Sequence, residues 1–408
     1  MAKLFRITTV PVSVEKLLGK QLTFMNQFYE VTAISSDKED LERVGQELGV
    51  KTKAIEMTRK ITPIQDLKSL WQMYCYLKKE KPRIVHTHTP KAGLIGMIAA
   101  KLAGIKVRLH TVAGLPLMET SGVKRRVLNL VEKLTYACAT KVYPNSYGLK
   151  DFILKEKFCP PHKLKVIGNG STNGIDTAYF NPALFSPQQK KEIRQQWQLE
   201  EDDFVWIFVG RLVKDKGINE LVAAFRQLTE EFNDSENKHK NSWVDNIRYR
   251  APKLLLVGPL ESELDPLLPE TLNEMEHNKN ILTLGYQKDV RPYLAAADAL
   301  AFPSYREGFP NVVMQAGAME LPSIVTDING CNEIIKNNEN GMIISVKNKD
   351  QIYNALLKLM ADLSLYNKLK WQAREYIVQR YDQKLIWNAI LAEYRENDKI
   401  SDESNALF

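Results

Sequence analysis

Between Ala299 and Asp327 the sequence reads strand, polar loop, helix, tight turn and strand in one short stretch. The apolar run Ala295–Phe302 stops at Pro303. A loop then carries Arg306 and Glu307, and a second buried strand, Ser323–Asp327, follows Leu321-Pro322. Two strands joined through a helix pair parallel, because a tight hairpin can only return the chain in the opposite direction. A parallel sheet must be covered by helices on its faces, so this stretch commits the chain to an α/β architecture. Gly308 removes a side chain where something must approach the backbone. Pro310 suits the first position of a helix running from Asn311 to about Met319, since a proline there loses no hydrogen bond. Glu307 therefore sits at the carboxyl end of a strand, just ahead of a helix N-terminus. Open α/β sheets bind ligands at that edge, and a helix dipole favours an anion there. Glu307 and Gln315 could face one ligand across the helix start. Taken alone, Glu307 fits equally a carboxylate that only complements the dipole.

The same rhythm runs through the chain twice. Apolar strand runs at Leu4–Val10, Val31–Ser35, Ile84–His88, Val107–Thr111 and Lys141–Asn145 alternate with helical stretches at Leu67–Lys79, Ala92–Leu102 and Lys124–Ala139. A Pro/Gly-bearing loop is expected up to Gly19, and a strand followed by a Gly/Asn loop over 164–180. Asn181-Pro182 and Ser186-Pro187 read as a linker. A second set begins at Phe204–Val209 and continues through Ile218–Thr229, Lys253–Val257, Leu267–Met275, Ile281–Leu284, Val290–Ala296 and Ala299–Phe302, with Glu231–Arg250 expected as a long surface loop. After Gly341–Val346 come helices at Gln351–Met360, Leu363–Tyr381 and Leu385–Tyr394, then a polar, frayed tail. At 408 residues two domains are expected. We divide the chain at 1–182 and 183–382, with a C-terminal helix at about 383–400 packing back on the first domain.

Residues 1–180 hold 29 Lys+Arg against 15 Asp+Glu, a net +14, whereas the remainder of the chain is net −7. A basic half suits an anionic partner such as a membrane surface, a nucleic acid or a phosphorylated substrate, or is simply a solvated face. Neither a helix-turn-helix nor an aromatic-interleaved basic pattern accompanies it, so we expect no nucleic-acid partner. Cys75, Cys138, Cys159 and Cys331 are scattered without a CxxC pair, which points to a reducing compartment and no zinc site. Neither a signal-peptide pattern nor a run of about twenty apolar residues is visible. Thr120–Thr140 is amphipathic, with Val127, Leu130, Val131 and Leu134 on one helical face and Lys124, Arg125 and Arg126 at its start. Pattern alone favours a core-packing helix with a solvated basic face.

A second candidate loop is VGRLVKDKG, Val209–Gly217, where Arg211 and Lys216 bracket a strand-to-helix turn. A planar guanidinium fork and a movable ammonium both suit a diphosphate. Singly, each residue also fits ordinary surface charge. The loop is not a P-loop, and no GxGxxG follows the first strand. With Glu307 in the same domain, the two loops describe a sugar nucleotide: diphosphate on Arg211, Lys216 and a helix dipole, sugar hydroxyls on Glu307. No DxD pair is present, and the cationic loop can compensate a leaving diphosphate, so no metal or other cofactor is expected. His86 and His88, two apart, share one face of a strand and read as architecture, since no further ligands stand at compatible spacing.

These motifs resemble those of the retaining glycosyltransferases of family 4, enzymes with the GT-B fold of two Rossmann-like parallel-sheet domains facing each other across a cleft. EGFPNVVMQA is similar to their E-x7-E motif and GRLVKDKG to their diphosphate loop. HTHTPKAG, HTVAGLP and GNGSTNGID resemble blocks of bacterial members that build capsular or O-antigen sugars. The resemblance implies that Glu307 contacts the donor sugar and that Arg211 and Lys216 hold the diphosphate. It implies that Gly308, Phe309, Pro310 and Asn311 line the nucleotide-sugar loop and that Gly19 lies near the donor phosphate. His110, at a strand end facing the cleft, would lie beside the donor sugar; read without the motif, it is a hydrogen-bonded core histidine. The second acid of the motif, which contacts ribose hydroxyls, falls on Gln315, which can still accept and donate. The resemblance further implies a UDP-sugar donor, a polyprenyl-diphosphate-linked saccharide acceptor, retention at the anomeric carbon, and a cytoplasmic, peripheral location at the inner face of the cell membrane, held by the basic domain on anionic lipid. A sugar-nucleotide epimerase of the same fold, or a non-catalytic nucleotide-sugar-binding module, are the competing readings.

Overall fold

A computed structural model describes residues 1–58, 60, 62–115, 117, 120–238, 251–263 and 265–406, with side chains described up to residue 233 and from 251 to 399 in the segments flanking 239–250 and the C-terminus. The chain divides into two compact units, Met1–Gly174 with Gln383–Phe408, and Ile175–Asp382. The junction thus precedes Asn181-Pro182. Ile175 N donates to Tyr381 O at 2.8 Å, and Arg374 donates to Thr177 O and Phe180 O at 2.9 and 2.8 Å, so these residues belong to the second unit's packing. The supposed linker is itself structured. Asn181 caps a 3-10 turn at Pro182–Leu184, and Ser186 with Gln189 forms a capping box on a helix, because proline at the first helical position starts a helix rather than breaking one.

In the first unit, β1 (Lys3–Ile7) leads into a short helix α1 (Pro11–Ser13), a π-helical turn (Val14–Leu18) and α2 (Lys20–Met25). The loop expected before Gly19 is therefore helical, and Gly19 at φ 48° is the break between two helical pieces. Next come β2 (Glu30–Ser35), α3 (Lys38–Leu48), β3 (Lys51–Ala54), α4 (Pro63–Glu80), β4 (Ile84–Thr87) and α5 (Pro90–Leu102). The unit continues with β5 (Val107–Val112), α6 (Gly122–Cys138), β6 (Lys141–Pro144) and α7 (Tyr147–Lys155). All strand pairs are parallel, in the order β3-β2-β1-β4-β5-β6. The strand expected at residue 164 reduces to one bridge, Leu164 to Val142. The C-terminal helix, Gln383–Ala406, belongs to this unit and replaces the expected frayed tail. Tyr394 and Ile390 on it are buried among Leu4, Val31 and Leu109.

The second unit repeats the topology. It contains α8 (Pro187–Gln196), β7 (Phe204–Val209), α9 (Ile218–Lys238), β8 (Pro252–Val257), α10 (Pro269–His277), β9 (Ile281–Gly285), α11 (Arg291–Ala296) and β10 (Ala299–Phe302). It closes with α12 (Asn311–Ala318), β11 (Ser323–Thr326), α13 (Cys331–Ile334), β12 (Gly341–Ile344), α14 (Lys349–Ala361) and α15 (Leu363–Tyr381). The parallel order is β12-β11-β10-β7-β8-β9. The loop expected at Glu231–Arg250 is helical as far as Lys238, and 239–250 lie outside the described residues. In both units the strand order reverses direction between two central strands, β1 and β4 or β7 and β10. Ligands of open α/β sheets bind at the carboxyl edge of such a switch point.

Helix α6 is amphipathic in the opposite sense to the core-packing expectation. Val123, Val127, Leu130 and Leu134 are 75, 42, 67 and 44% exposed, while Glu132, Thr135 and Tyr136 are buried. Burial raises the Glu132 carboxyl to a pKa of about 7, with Tyr136 acting in the other direction. The raised folded pKa means the neutral acid contributes stability below the ordinary carboxyl range, and that contribution is lost as pH rises through about 7. Glu132→Gln should therefore gain about 1–3 kcal/mol over the parent at pH 8 and little at pH 5. Unfolding midpoints at the two pH values check this; an equal change at both would refute it.

Candidate active site

The two candidate loops of the second unit leave neighbouring strands. β7 and β10 pair parallel, with Trp206 beside Ala299 and Ile207 beside Leu300. Beyond their ends the chains press together. Gly217 has φ 71°, and a Cβ there would lie 2.1 Å from Pro303 O, so both the left-handed backbone and the close approach require glycine. Tyr305 N donates to Asp215 O at 2.8 Å. Arg306 Nη2 lies 2.7 Å from Asp215 Oδ2. Lys216 Nζ consequently meets Glu307 Oε1 at 2.5 Å, with both side chains about 15% exposed.

Glu307 is held from several directions. Ser304, fully buried, donates from Oγ to the same Oε1 at 2.9 Å. Asn329 Nδ2 donates to Glu307 O at 3.2 Å and Gly308 O at 2.5 Å. Gly330, φ 77°, lets the following turn close on the loop, since a Cβ would lie 2.6 Å from Gly308 O. Below, the Cys331 thiol is buried, and burial together with the Glu307 charge pushes its pKa well up, against the pull of Lys216. The thiol is therefore protonated at neutral pH.

The other expected site residues fall as follows. Arg211 is exposed and paired with Glu261 at 2.9 Å. Pro310 is the N-cap of α12 rather than its first residue, in an extended conformation with ψ 111°, so Asn311 opens the helix four residues after Glu307. Phe309 is half-buried and packs against Tyr381, ring centroids 5.5 Å apart. Gln315 is half-buried, and its side chain makes no hydrogen bond among the described residues. Lys216, Glu307, Gly308 and Asn311 are thus brought to one edge. Ser304, Asp215 and Asn329 belong to the same edge and were missed; the Asn329-Gly330 dipeptide, a turn signal, is the one trace of them in the sequence.

In the first unit, His110 lies inside β5, two residues before its end, and is buried. It is therefore not at the strand end, as expected, and its ring is enclosed by its neighbours. Thr87 Oγ1 is 2.7 Å from its Nδ1, and a Cβ on Gly93 would meet its Cε1 at 2.5 Å. Burial lowers its pKa to about 4, so the ring is neutral at pH 7. His86 bonds Tyr394 OH at 2.6 Å and Thr111 Oγ1 at 2.8 Å, and His88 Nε2 accepts from Arg6 at 2.9 Å. Both are packed, as architecture. Among the described residues no group of three or more His, Cys, Asp or Glu side chains is arranged to hold a metal ion.

Known proteins share these features. Residues 189–376 match the family "Glycosyl transferases group 1" and residues 22–170 the "Glycosyl transferase 4-like domain". The capsular polysaccharide biosynthesis glycosyltransferase CapM of Staphylococcus aureus is 32% identical over 397 residues, covering 96% of each chain. The chain belongs to the family-4-like glycosyltransferases. An Escherichia coli relative, UDP-Gal:alpha-D-GlcNAc-diphosphoundecaprenol alpha-1,3-galactosyltransferase, is 32% identical over 330 residues, 80% of this chain and 78% of its own. HepE from Anabaena, solved with UDP and glucose, matches with a TM-score of 0.77 at 16% identity over 97% of this chain and 100% of that one. A Rickettsia africae glycosyltransferase matches at 0.76 and 19%, over 97% and 98%. The fold is GT-B, and glycosyl transfer is the activity of the family, rather than epimerisation or nucleotide binding alone.

Gly217→Ala, which combines a disfavoured backbone with a clash, should cost about 2–4 kcal/mol and weaken nucleotide binding with it. Thermal unfolding of the second unit's transition checks this; a neutral substitution would show that the loop does not need this close packing.

Proposed function

We propose that this glycosyltransferase moves a sugar from a UDP-sugar to a saccharide carried on a polyprenyl diphosphate, with retention at the anomeric carbon, in cell-surface polysaccharide synthesis. The carrying observation is the Lys216–Glu307 contact. It joins a cationic strand-to-helix turn to an acid at the N-terminus of α12, in the order a nucleoside diphosphate sugar presents phosphate and hydroxyls. The acceptor class is supported by the E. coli relative and by a Campylobacter jejuni relative, N,N'-diacetylbacillosaminyl-diphospho-undecaprenol alpha-1,3-N-acetylgalactosaminyltransferase, 25% identical over 86% of this chain.

In this reading the bond between the anomeric carbon and the diphosphate oxygen breaks while the acceptor hydroxyl bonds the same face of that carbon. Its proton passes to the departing phosphate oxygen. Lys216, Arg211 and the N-terminus of α9 stabilise the charge that develops there, and they need no metal ion to do so. Glu307 accepts from the sugar hydroxyls, and Gln315 bonds the ribose. His110, buried against Thr87 and neutral at pH 7, does not act as an acid.

Binding of the lipid-linked acceptor is helped in this reading by α6. Its exposed apolar stripe runs beside the exposed Lys124 and Arg126, whereas Arg125 is engaged with Asn129 and Leu117 O. Apolar burial and attraction to anionic headgroups act together on such a face. No helix among the described residues is long and apolar enough to cross a membrane.

Titration calorimetry with UDP- and GDP-sugars, without metal, tests the donor site. One UDP-sugar should saturate, and Arg211→Ala and Lys216→Ala should each weaken it about tenfold or more. If no nucleotide sugar binds, the reading fails. Vesicle sedimentation tests the membrane face. Lys124→Glu with Arg126→Glu should reduce binding to phosphatidylglycerol vesicles about tenfold or more, and unchanged binding would remove this role for α6.

A further inference from the structure

Glu307 Oε1 receives two hydrogen bonds, from Lys216 Nζ at 2.5 Å and from Ser304 Oγ at 2.9 Å, while Oε2 takes none among the described residues. The two donors differ in what a ligand can do to them. Lys216 sits on a long, movable side chain, and its ammonium is the cation a diphosphate would claim. Ser304 is fully buried two residues beyond the end of β10, and Thr326 Oγ1 donates to its carbonyl from the neighbouring β11. Its hydroxyl has one proton and three acceptors in reach, Glu307 Oε1 at 2.9 Å, Arg306 O at 3.1 Å and Asp215 O at 3.5 Å. The carboxylate is both nearest and charged, so it takes the proton.

We propose that Ser304 is the positioning residue for the donor sugar: it keeps Glu307 aimed when the diphosphate draws Lys216 away. This rests on the donor-site reading above. A diphosphate carries more negative charge than one carboxylate and competes for the same ammonium. As Lys216 turns to it, Oε1 loses its ionic partner and Ser304 alone fixes the rotamer. Oε2 stays open to sugar hydroxyls. The Lys216–Glu307 contact is then the resting arrangement of an empty site, and the carboxylate is a competitor for the lysine until the phosphate arrives.

Two consequences have definite signs. Apart from a long 3.5 Å contact with the Asp215 carbonyl, Ser304 reaches the diphosphate loop only through Glu307, so Ser304→Ala should leave the affinity for UDP within about twofold. The additional affinity of the saturating UDP-sugar over UDP should disappear. Ser304→Thr, which keeps the hydroxyl, should restore it. Glu307→Gln removes the competing charge and should bind UDP about three- to tenfold more tightly than the parent, while also losing the sugar increment.

Calorimetric titration of the full chain with UDP, then with UDP-glucose, UDP-galactose, UDP-N-acetylglucosamine and UDP-N-acetylgalactosamine, reads all of these. A Ser304→Ala protein that keeps the full sugar increment overturns the proposal. So does one that loses UDP and UDP-sugar affinity in parallel, which is the mark of general loosening. Should the Ser304 variants not fold, Glu307→Gln carries the test, and weaker UDP binding there overturns the shared-lysine arrangement. If Lys216→Ala leaves UDP affinity unchanged, the donor-site reading itself has failed, which is a separate result.

Discussion

The pairing of β7 with β10 is the constraint on which the site depends. These strands are far apart in sequence and adjacent in the sheet, so the chain leaves both at the same edge. Everything beyond is a consequence of two loops sharing one small space: the glycine at 217 under Pro303, the bond from Tyr305 N to Asp215 O, and the meeting of Lys216 and Glu307. Magnitudes argue against the ion pair being there for stability. An exposed pair contributes about 0–1 kcal/mol, and withdrawing the charges from water opposes any larger gain. What the pair does is hold two groups of opposite charge, neither fully hydrated, where one ligand with both phosphates and hydroxyls can replace the contact.

The same topology serves different chemistry in the first unit. Arg6, fully buried near the end of β1, has no ion pair among the described residues. It donates to His88 and to Gln21, and Gln21 in turn donates to Thr172 O and Asn173 Oδ1. Trp387 of the C-terminal helix completes the chain of bonds through Asn173. Burial of the two rings, and after it the neighbouring positive charges including the Arg6 guanidinium, hold His86 and His88 neutral. Polar residues here are consumed by packing three separate segments together, whereas in the second unit Lys216 after β7 and Glu307 after β10 stay partly open to solvent.

The alternation of strands and helices was legible because buried parallel strands are continuous apolar runs, as in Phe204–Val209. β3, KTKA, was not, since an edge strand with half-exposed residues carries no such run. The charged loops were legible from composition. Ser304, Asp215 and Asn329 were not, because their roles arise from contacts between segments distant in sequence. His110 shows how sensitive a site assignment is to a strand boundary: β5 runs one residue beyond the expected Thr111, and the ring two residues before its end lies in the interior. For α6, helical spacing showed an apolar stripe but not which way it faces. That was decided by Tyr136 and Glu132 on the opposite side, a large ring filling the core and an acid buried along with it.

The orientation of α6 bears on the excess positive charge of the first half of the chain. Several of its basic residues are spent internally: Lys3 on Glu80, Lys91 on Asp66, Arg43 on Asp40 and Glu47. Lys124 and Arg126 are exposed beside the apolar stripe. An exposed apolar face by itself promotes self-association. Like charges along its margin oppose the approach of a second copy while favouring an anionic surface. The two features together discriminate between partners in a way that neither does alone, and they do so at the cost of burying Glu132, whose raised pKa is the physical trace of that arrangement.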